Sequence, residues 1–487
     1  MFVAGETVSN NGIGAGGFQN TFGGARDAFL VKFNSAGTRM WGTFYGGTGL
    51  DGYGRVAADG AGNVYLAGQT QSTIGIAMGG FQNTYVGGQD AFLVKFNSTG
   101  TRIWATYYGG SGIETWPSIA VDGLNNVYLG GYTASTTGIF SVGFQNTLAG
   151  GIDAFLVKFD AAGNRLWATY YGGPGNDWST DIATDALNNI YLAGFTTSTT
   201  GIASGGFQNT ISGGGAFGDA YLIKFNPSGS RLWGTYYGAN DSEISYGVAT
   251  DVNNNVYLLL EVEDVVSPNL TDACAYQTVF NGGSSTDPFS GANGKPEDQQ
   301  IVKFKPTGEK ICVTYMGGPG EDDTDNSFGG AIAINGTSLY IIGRTDGGYP
   351  VTPGAFQTTF SGPFNTCNGC GTYGGGDAFV ASLCTNICEG KILALNFTAT
   401  TNNICANAPV FFTPTIANSC DTAGYKFHWI FTGGNPATSD SASPMVSFAS
   451  VGSHDVKLIV TTPCKKDSIT QLNYITTTQC TTCNLTG

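Results

Sequence analysis

The stretch over residues 27–65 reads D-A-F-L-V-K-F-N-S-A-G-T-R-M-W-G-T-F-Y-G-G, then a short acidic loop, then R-V-A-A-D-G-A-G-N-V-Y. It returns from Asp90, Asp153 and Asp219, in worn form from Asp298, and a last D-A-F stands at Asp377. The first three of these Asp residues are 63 apart, the next interval is 66 and the last two are 79 each. A chain that repeats itself at such a period is an array of supersecondary units, each burying its apolar face against the next.

Within one repeat the pattern predicts four short strands over residues 28–33, 39–45, 56–58 and 64–68, separated by turns rich in Gly and Asn. Those residue types supply the positive φ that tight hairpins need. Gly makes up 76 of 487 residues and aromatics 13%, so tight turns between aromatic strands fit better than a disordered linker. Four antiparallel strands and a connection, repeated, predict one propeller blade per repeat. The connection carries G-G-F-Q-N-T at Gly17, Gly80 and Gly206 and G-F-Q-N-T at Gly143, with later versions at Ala275 and Thr352. Its Phe is expected to plug a gap between blades, and Pro353 in the last version suggests a short helical turn.

The units G-G-x-D-A-F-L-V-K-F, T-x-Y-G-G and D-x-x-N-N-V-Y-L-x-G resemble the bacterial β-propeller repeats called SBBP, over roughly residues 1–384. The resemblance implies a secreted or surface propeller rather than a particular reaction. The expected fold is all-β: a β-propeller of four-stranded blades, five full repeats plus a split or incomplete blade, followed by a β-sandwich. The split blade would join a fourth-type strand over residues 2–7 to a first-type strand over 377–383, because a closed ring removes exposed sheet edges. Larger rings of this family imply blades upstream. The opening M-F-V-A-G-E-T lacks the charged and apolar segments of an export signal and matches the end of a repeat, so the chain is expected to begin in mid-array.

From about residue 393 the text changes. Alternating Val456, Leu458 and Val460 and regular turn signals predict a β-sandwich. Trp429, Phe431, Gly433, Pro444, Phe448, Gly452 and Val456 resemble the signature of the PKD domain, an immunoglobulin-like module, although its usual Gly-Asp is Gly433-Gly434 here. The expected domains are 1–388 for the propeller, 393–478 for the sandwich and 479–487 for a Cys-containing tail.

The balance of 35 acidic against 20 basic residues gives a formal charge of −15, which repels phosphate backbones and argues against a nucleic-acid partner. No apolar run is long enough to span a membrane. The eleven cysteines fall late: Cys274, Cys312, Cys367, Cys370, Cys384, Cys388, Cys405, Cys420, Cys464, Cys480 and Cys483. Disulfides in an oxidising compartment are expected rather than the zinc site that Cys367-x-x-Cys370 and Cys384-x-x-x-Cys388 suggest. Pairing stays open; Cys405 with Cys420 or Cys464 would tie the sandwich.

The loop after each Y-G-G holds acid: Asp51, Glu114, Asp177, Asp241 with Glu243, and Glu321 with Asp322, Asp323 and Asp325. Equivalent loops share one face of a propeller, so these carboxylates are ligand-face candidates for Ca²⁺ or a sugar. The plainer reading is a solvated turn whose Asp bonds its own backbone. Glu321, Asp322, Asp323 and Asp325 form the best single Ca²⁺ candidate. Asp27, Asp90, Asp153 and Asp219, and the turns at Asp59, Asp122, Asp185 and Asp251, read as caps. Trp41, Trp104, Trp167 and Trp233 read as packing, since Cys312 takes their place in the fifth repeat. That repeat also carries an insertion over residues 260–299, where binding surfaces often grow.

The only histidines, His428 and His454, lie in the sandwich, and no nucleophile elbow, P-loop or H-E-x-x-H appears. The expected function is non-catalytic binding, adhesion or scaffolding outside the cell or on its surface, without a cofactor, towards a surface glycan or protein. An extracellular carbohydrate-active enzyme with acids on the propeller face is the alternative, since paired carboxyls suffice for glycosidic bonds. A subunit of a self-assembling extracellular structure is a third.

Overall fold

The computed structural model describes residues 1–213, 215–262, 277, 298–318, 322–323, 332–345, 377–385, 394–417, 425–461 and 466–480. The D-A-F-L-V-K-F segments are apolar on both pleat faces, and the structure buries both: in the second to fourth repeats every residue of these strands is buried. A strand covered on both sides must lie between neighbouring sheets.

Among the described residues six sheets carry the repeats. The first holds β1 (Phe2–Thr7), β2 (Asp27–Phe33) and β3 (Arg39–Tyr45). Four complete sheets follow in chain order. One is β4 (Asp51–Ala58), β5 (Val64–Thr70), β6 (Asp90–Phe96) and β7 (Arg102–Tyr108). The next is β8 (Glu114–Val121), β9 (Val127–Thr133), β10 (Asp153–Phe159) and β11 (Arg165–Tyr171). Then come β12 (Asp177–Thr184), β13 (Ile190–Thr196), β14 (Asp219–Phe225) and β15 (Arg231–Tyr237), and β16 (Glu243–Thr250), β17 (Val256–Val262), β18 (Asp298–Phe304) and β19 (Lys310–Met316). In the sixth sheet β20 (Asp322–Asp323) and β21 (Ile332–Asn335) pair with β22 (Ser338–Thr345), and β23 (Asp377–Cys384) also pairs with β22. The β-propeller expected from the repeats is the fold observed.

The blade, however, is out of phase with the repeat as read from the sequence. Each sheet takes the last two strands of one repeat and the first two of the next, so the blade boundary falls at Y-G-G. The G-F-Q-N-T connection therefore lies inside a blade, between its second and third strands. It returns along the outer strand: Gln82 bridges Tyr107, Gln145 bridges Tyr170 and Gln208 bridges Tyr236. The connection thus covers the outer sheet edge, which would otherwise offer unpaired backbone groups. For the same reason β1 and β23 do not share a blade. A fourth-type strand pairs with the first-type strand after it, so β1 joins β2 while β23 joins β22. The fifth-repeat insertion and Pro353 lie largely or wholly outside the described residues.

The second compact unit runs from Leu383 onward. Its strands are β24 (Ala394–Ala399), β25 (Asn403–Cys405), β26 (Pro409–Ala417), β27 (Lys426–Phe431), β28 (Gly434–Asn435), β29 (Thr438–Ser439), β30 (Met445–Phe448), β31 (Gly452–Thr461) and β32 (Lys466–Thr478). They form sheets ordered β24-β26-β30-β28 and β25-β32-β31-β27-β29 around a core of Phe397, Phe412, Trp429, Phe431, Phe448 and Leu458. β25 runs parallel to β32 with Cys405 beside Thr478, which brings Cys480 rather than Cys420 or Cys464 to Cys405, and these two form a disulfide. Cys480, expected in a tail, is thereby tied to the sandwich.

Candidate functional site

Among the described residues, four of the acids after Y-G-G are buried rather than set in a ring on the surface. The inner strand starts earlier than residues 56–58 predict, so Asp51, Glu114, Asp177 and Glu243 are its first residues, and all four are buried. Asp51 accepts from the hydroxyls of Thr70 and Ser72 and from Gly47 N–H. Asp177 repeats this with Thr196, Ser198 and Gly173. Each carboxylate clamps the end of its own blade. Asp241, half-buried, precedes the fifth blade.

Asp27, Asp90, Asp153 and Asp219 are the partners of these clamps. Each is held by the side-chain amide of the connection's Gln: Gln19, Gln82, Gln145 and Gln208. The same Gln residues accept from Gly46, Gly109, Gly172 and Gly238. Those glycines separate the paired carboxyls: a Cβ on Gly46 would meet Asp27 Oδ1 at 2.6 Å and Asp51 Oδ2 at 2.8 Å. Burial, reinforced by the neighbouring acid, pushes Asp90 up to about 7, and burial pushes Asp177 up to about 6. These pairs are structural joints.

The Asp59-type turns are joints too. Asp122 accepts from Leu124 and Asn126 N–H and lies 3.7 Å from Lys158, with almost no exposure on either side. Lys158 and Trp167 both donate to Pro227 O in the following repeat, as Lys95 and Trp104 do to Ala161 O. The tryptophan ring packs on the glycine of that turn: a Cβ on Gly163, at φ +88°, would meet Trp104 at 2.8 Å. Phe81 lies between Tyr108 of one blade and Phe159 of the next, 6.4 Å from each, with Arg165 over its ring at 4.2 Å. The packing roles expected for Trp and Phe are those observed.

What remains is the part of the repeat that differs from copy to copy. Between the clamp acid and the V/I-A that follows, the inner strands read G-Y-G-R (52–55), T-W-P-S (115–118), W-S-T-D (178–181) and I-S-Y-G (244–247). All four carry a β-bulge here, and Tyr53 and Trp116 adopt φ of 55° and 52°, a region bulky residues avoid. Such strain is commonest where a side chain is aimed for function. The next strands vary too, at Glu6, Gln69, Tyr132, Phe195 and Glu261, each one residue before its strand ends.

These positions meet. Tyr53 N–H donates to Glu6 Oε2 at 3.0 Å, and Thr115 and Trp116 donate to Gln69 Oε1. Trp178 stacks on Phe195 with centroids 4.8 Å apart, and Trp116 lies edge-on to Tyr132 at 5.2 Å. Phe217 and Tyr246 complete the cluster. Arg55 and Asp181, on inner strands two blades apart, interact electrostatically; burial pushes Asp181 up to about 6 against the pull of Val248 N–H and Arg55. The cluster is a mouth of unlike aromatic and charged side chains where the inner strands begin. Periodicity hid it: only comparison of the repeats with one another, position by position, exposes the unlike segment. A shallow groove of about 440 Å³ beside Phe81 and Gly109 is built from repeated packing residues instead.

Among the described residues no group of three or more His, Cys, Asp and Glu side chains could hold a metal ion. Of the Ca²⁺ candidates, Glu321 and Asp325 lie outside those residues, and Asp322 and Asp323 form β20. Cys312 is buried and disulfide-bonded. Cys274, Cys367, Cys370, Cys388, Cys420, Cys464 and Cys483 lie outside the described residues. His428 faces solvent beside Asp440, and His454 is buried with Thr432 O and Ser450 O as partners. No helix among the described residues is long and apolar enough to cross a membrane.

The SBBP beta-propeller repeat family matches residues 103–137 and 166–201. An uncharacterized WD repeat-containing protein of Acanthamoeba polyphaga mimivirus is 25% identical over 197 residues, which are 35% of this chain and 14% of that protein's length. A Dyadobacter fermentans protein of unknown function aligns over 87% of this chain and 95% of its own, at 9% identity and a TM-score of 0.33. A PL25 ulvan lyase aligns over 70% and 73%, at 9% identity and a TM-score of 0.35. These structural likenesses are too loose to carry a functional argument.

Proposed function

We propose that this array of SBBP-type repeats is a non-catalytic binding protein, acting in adhesion or as a scaffold outside the cell, with the variable mouth as its contact surface. The observation that carries this reading is the division of labour within the repeat. Positions that recur are buried joints, whereas unlike residues gather on four adjacent blades, with strained backbone at Tyr53 and Trp116 and part-exposed rings at Tyr53, Trp116 and Trp178. A rigid scaffold presenting variable side chains is a general solution for recognition. The sandwich, which we read as a PKD-type module, would serve as spacer or second contact, and the acidic surface favours solubility over nucleic acid.

The test is retention of intact surface polysaccharide and of surface protein extract by the immobilised full chain. Arg55→Ala and Trp178→Ala are expected to abolish retention, and the polymer should be recovered at its original length. Progressive shortening of the polymer that Asp181→Asn stops would establish the carbohydrate-active alternative instead.

A further inference from the structure

The chain has seven tryptophans. Trp41, Trp104, Trp167, Trp233 and Trp429 are buried, at 6% exposure or less. Trp116 and Trp178 are the two that keep appreciable exposure, and both stand in the mouth. Phe195 supports Trp178 from one side at an interplanar angle of 19°, while Trp116 meets Phe195 at 6.3 Å and 51°. Tyr53 and Tyr132 are half-buried nearby, and Tyr53 acts electrostatically on the Tyr132 phenol. The platform is therefore a pair of indoles held at an angle by buried rings.

Polar groups stand beside it. Gln69 and Thr115 bond one another across neighbouring blades, and Arg55 and Asp181, two blades apart, interact electrostatically. Ser118, Ser179 and Ser245, on these same inner strands within two residues of Trp116, Trp178 and Tyr246, are buried with hydroxyls that have no protein partner. Buried hydroxyls left unpaired are costly unless water or a ligand meets them. Two part-exposed indoles standing beside Gln69, Thr115, Arg55 and Asp181 offer apolar and hydrogen-bonding surface together, which matches a molecule with one apolar face and a hydroxylated rim. A purely apolar ligand would take Gln69, Thr115, Arg55 and Asp181 out of water without offering them further hydrogen bonds.

We propose that the mouth binds a neutral pyranose unit of a polysaccharide, stacked on Trp178 and bordered by Trp116. The proposal rests on the binding role assigned above and names its ligand class. The experiment uses the full chain with neutral gluco-, xylo- and manno-hexasaccharides, read by acrylamide quenching of tryptophan fluorescence. Because the other five indoles are buried, quenching reports chiefly on Trp116 and Trp178.

At least one hexasaccharide should protect the indoles from quenching. Trp178→Ala and Trp116→Ala should each weaken binding about tenfold or more, as aromatic anchors do. Trp178→Phe, which keeps a stacking ring, should retain part of the affinity, and a retained cooperative thermal transition would separate loss of the platform from loss of fold. Protection that persists unchanged in both alanine variants overturns the assignment. If surface material is retained by the chain while no hexasaccharide protects either indole, the pyranose assignment fails and the binding role stands. If nothing is retained and nothing protects, both fail.

Discussion

Seven copies of one residue type divide into two jobs by what surrounds them. Trp104 donates its indole N–H across to the next blade and fills a joint, so Trp104→Ala should cost about 3–5 kcal/mol. Trp178 is part-exposed and packs face-on against Phe195, so Trp178→Ala should cost less, about 1–3 kcal/mol. Chemical denaturation of the two variants checks the contrast. The buried Lys158–Asp122 pair invites a similar comparison. Asp122→Ala takes the counter-charge from buried Lys158, which keeps only Pro227 O as hydrogen-bond acceptor, and strands the amides of Leu124 and Asn126, for a loss of about 3–5 kcal/mol. Lys158→Met leaves Asp122 bonded to its own turn and should lose only about 1–3 kcal/mol. Equal losses would mean that the ion pair, not the turn, dominates.

Among elements, the connection does the most with the fewest residues. Gln82 alone reaches Thr84 O, Asp90 and Gly109 N–H, and its backbone forms a bridge on the outer strand. Gln82→Leu keeps the volume and removes all three side-chain bonds, so a loss of about 2–4 kcal/mol is expected in denaturation. The joint it holds also titrates. Asp90 lies against Glu114, with Tyr85 and Tyr107 near; burial raises both phenols, that of Tyr107 to about 12, so they stay neutral. The folded chain therefore holds a proton on Asp90 that the unfolded chain releases in the ordinary carboxylate range. Its contribution is complete at acid pH and is lost as pH rises to about 7 and beyond. Melting temperature should fall across that interval, and Asp90→Asn should flatten part of the fall. A melting temperature that rises from pH 4 to 7 by the same amount in both proteins would refute this.

At the scale of the molecule, the sandwich carries a covalent tie between the third residue of its strand β25 and its own end. The Cys405–Cys480 bond closes a loop spanning 75 residues, so Cys405→Ser should destabilise the sandwich by roughly 4 kcal/mol in the loop-entropy picture and leave the propeller transition in place. Calorimetry of the full chain, with transitions assigned by tryptophan fluorescence, would show it. The propeller needed no such information to be recognised. Repetition with a period of about sixty residues and apolar strands between Gly-Asn turns already dictates stacked four-stranded units, because an amphiphilic unit copied in series can bury itself only against its copies. The roles of Trp41, Phe18 and Asp27 were legible for the same reason, since a residue repeated without change answers a repeated contact. Pairing was not legible. Strand periodicity is the same whichever pair of hairpins forms a sheet, so only the hydrogen-bond ladder placed the blade boundary at Y-G-G and moved Asp51, Glu114 and Asp177 from a supposed surface ring into buried clamps. The mouth was hidden likewise: Tyr53, Trp116 and Trp178 stand at unlike positions along the chain, and it takes the curvature of the sheets and their bulges to gather them.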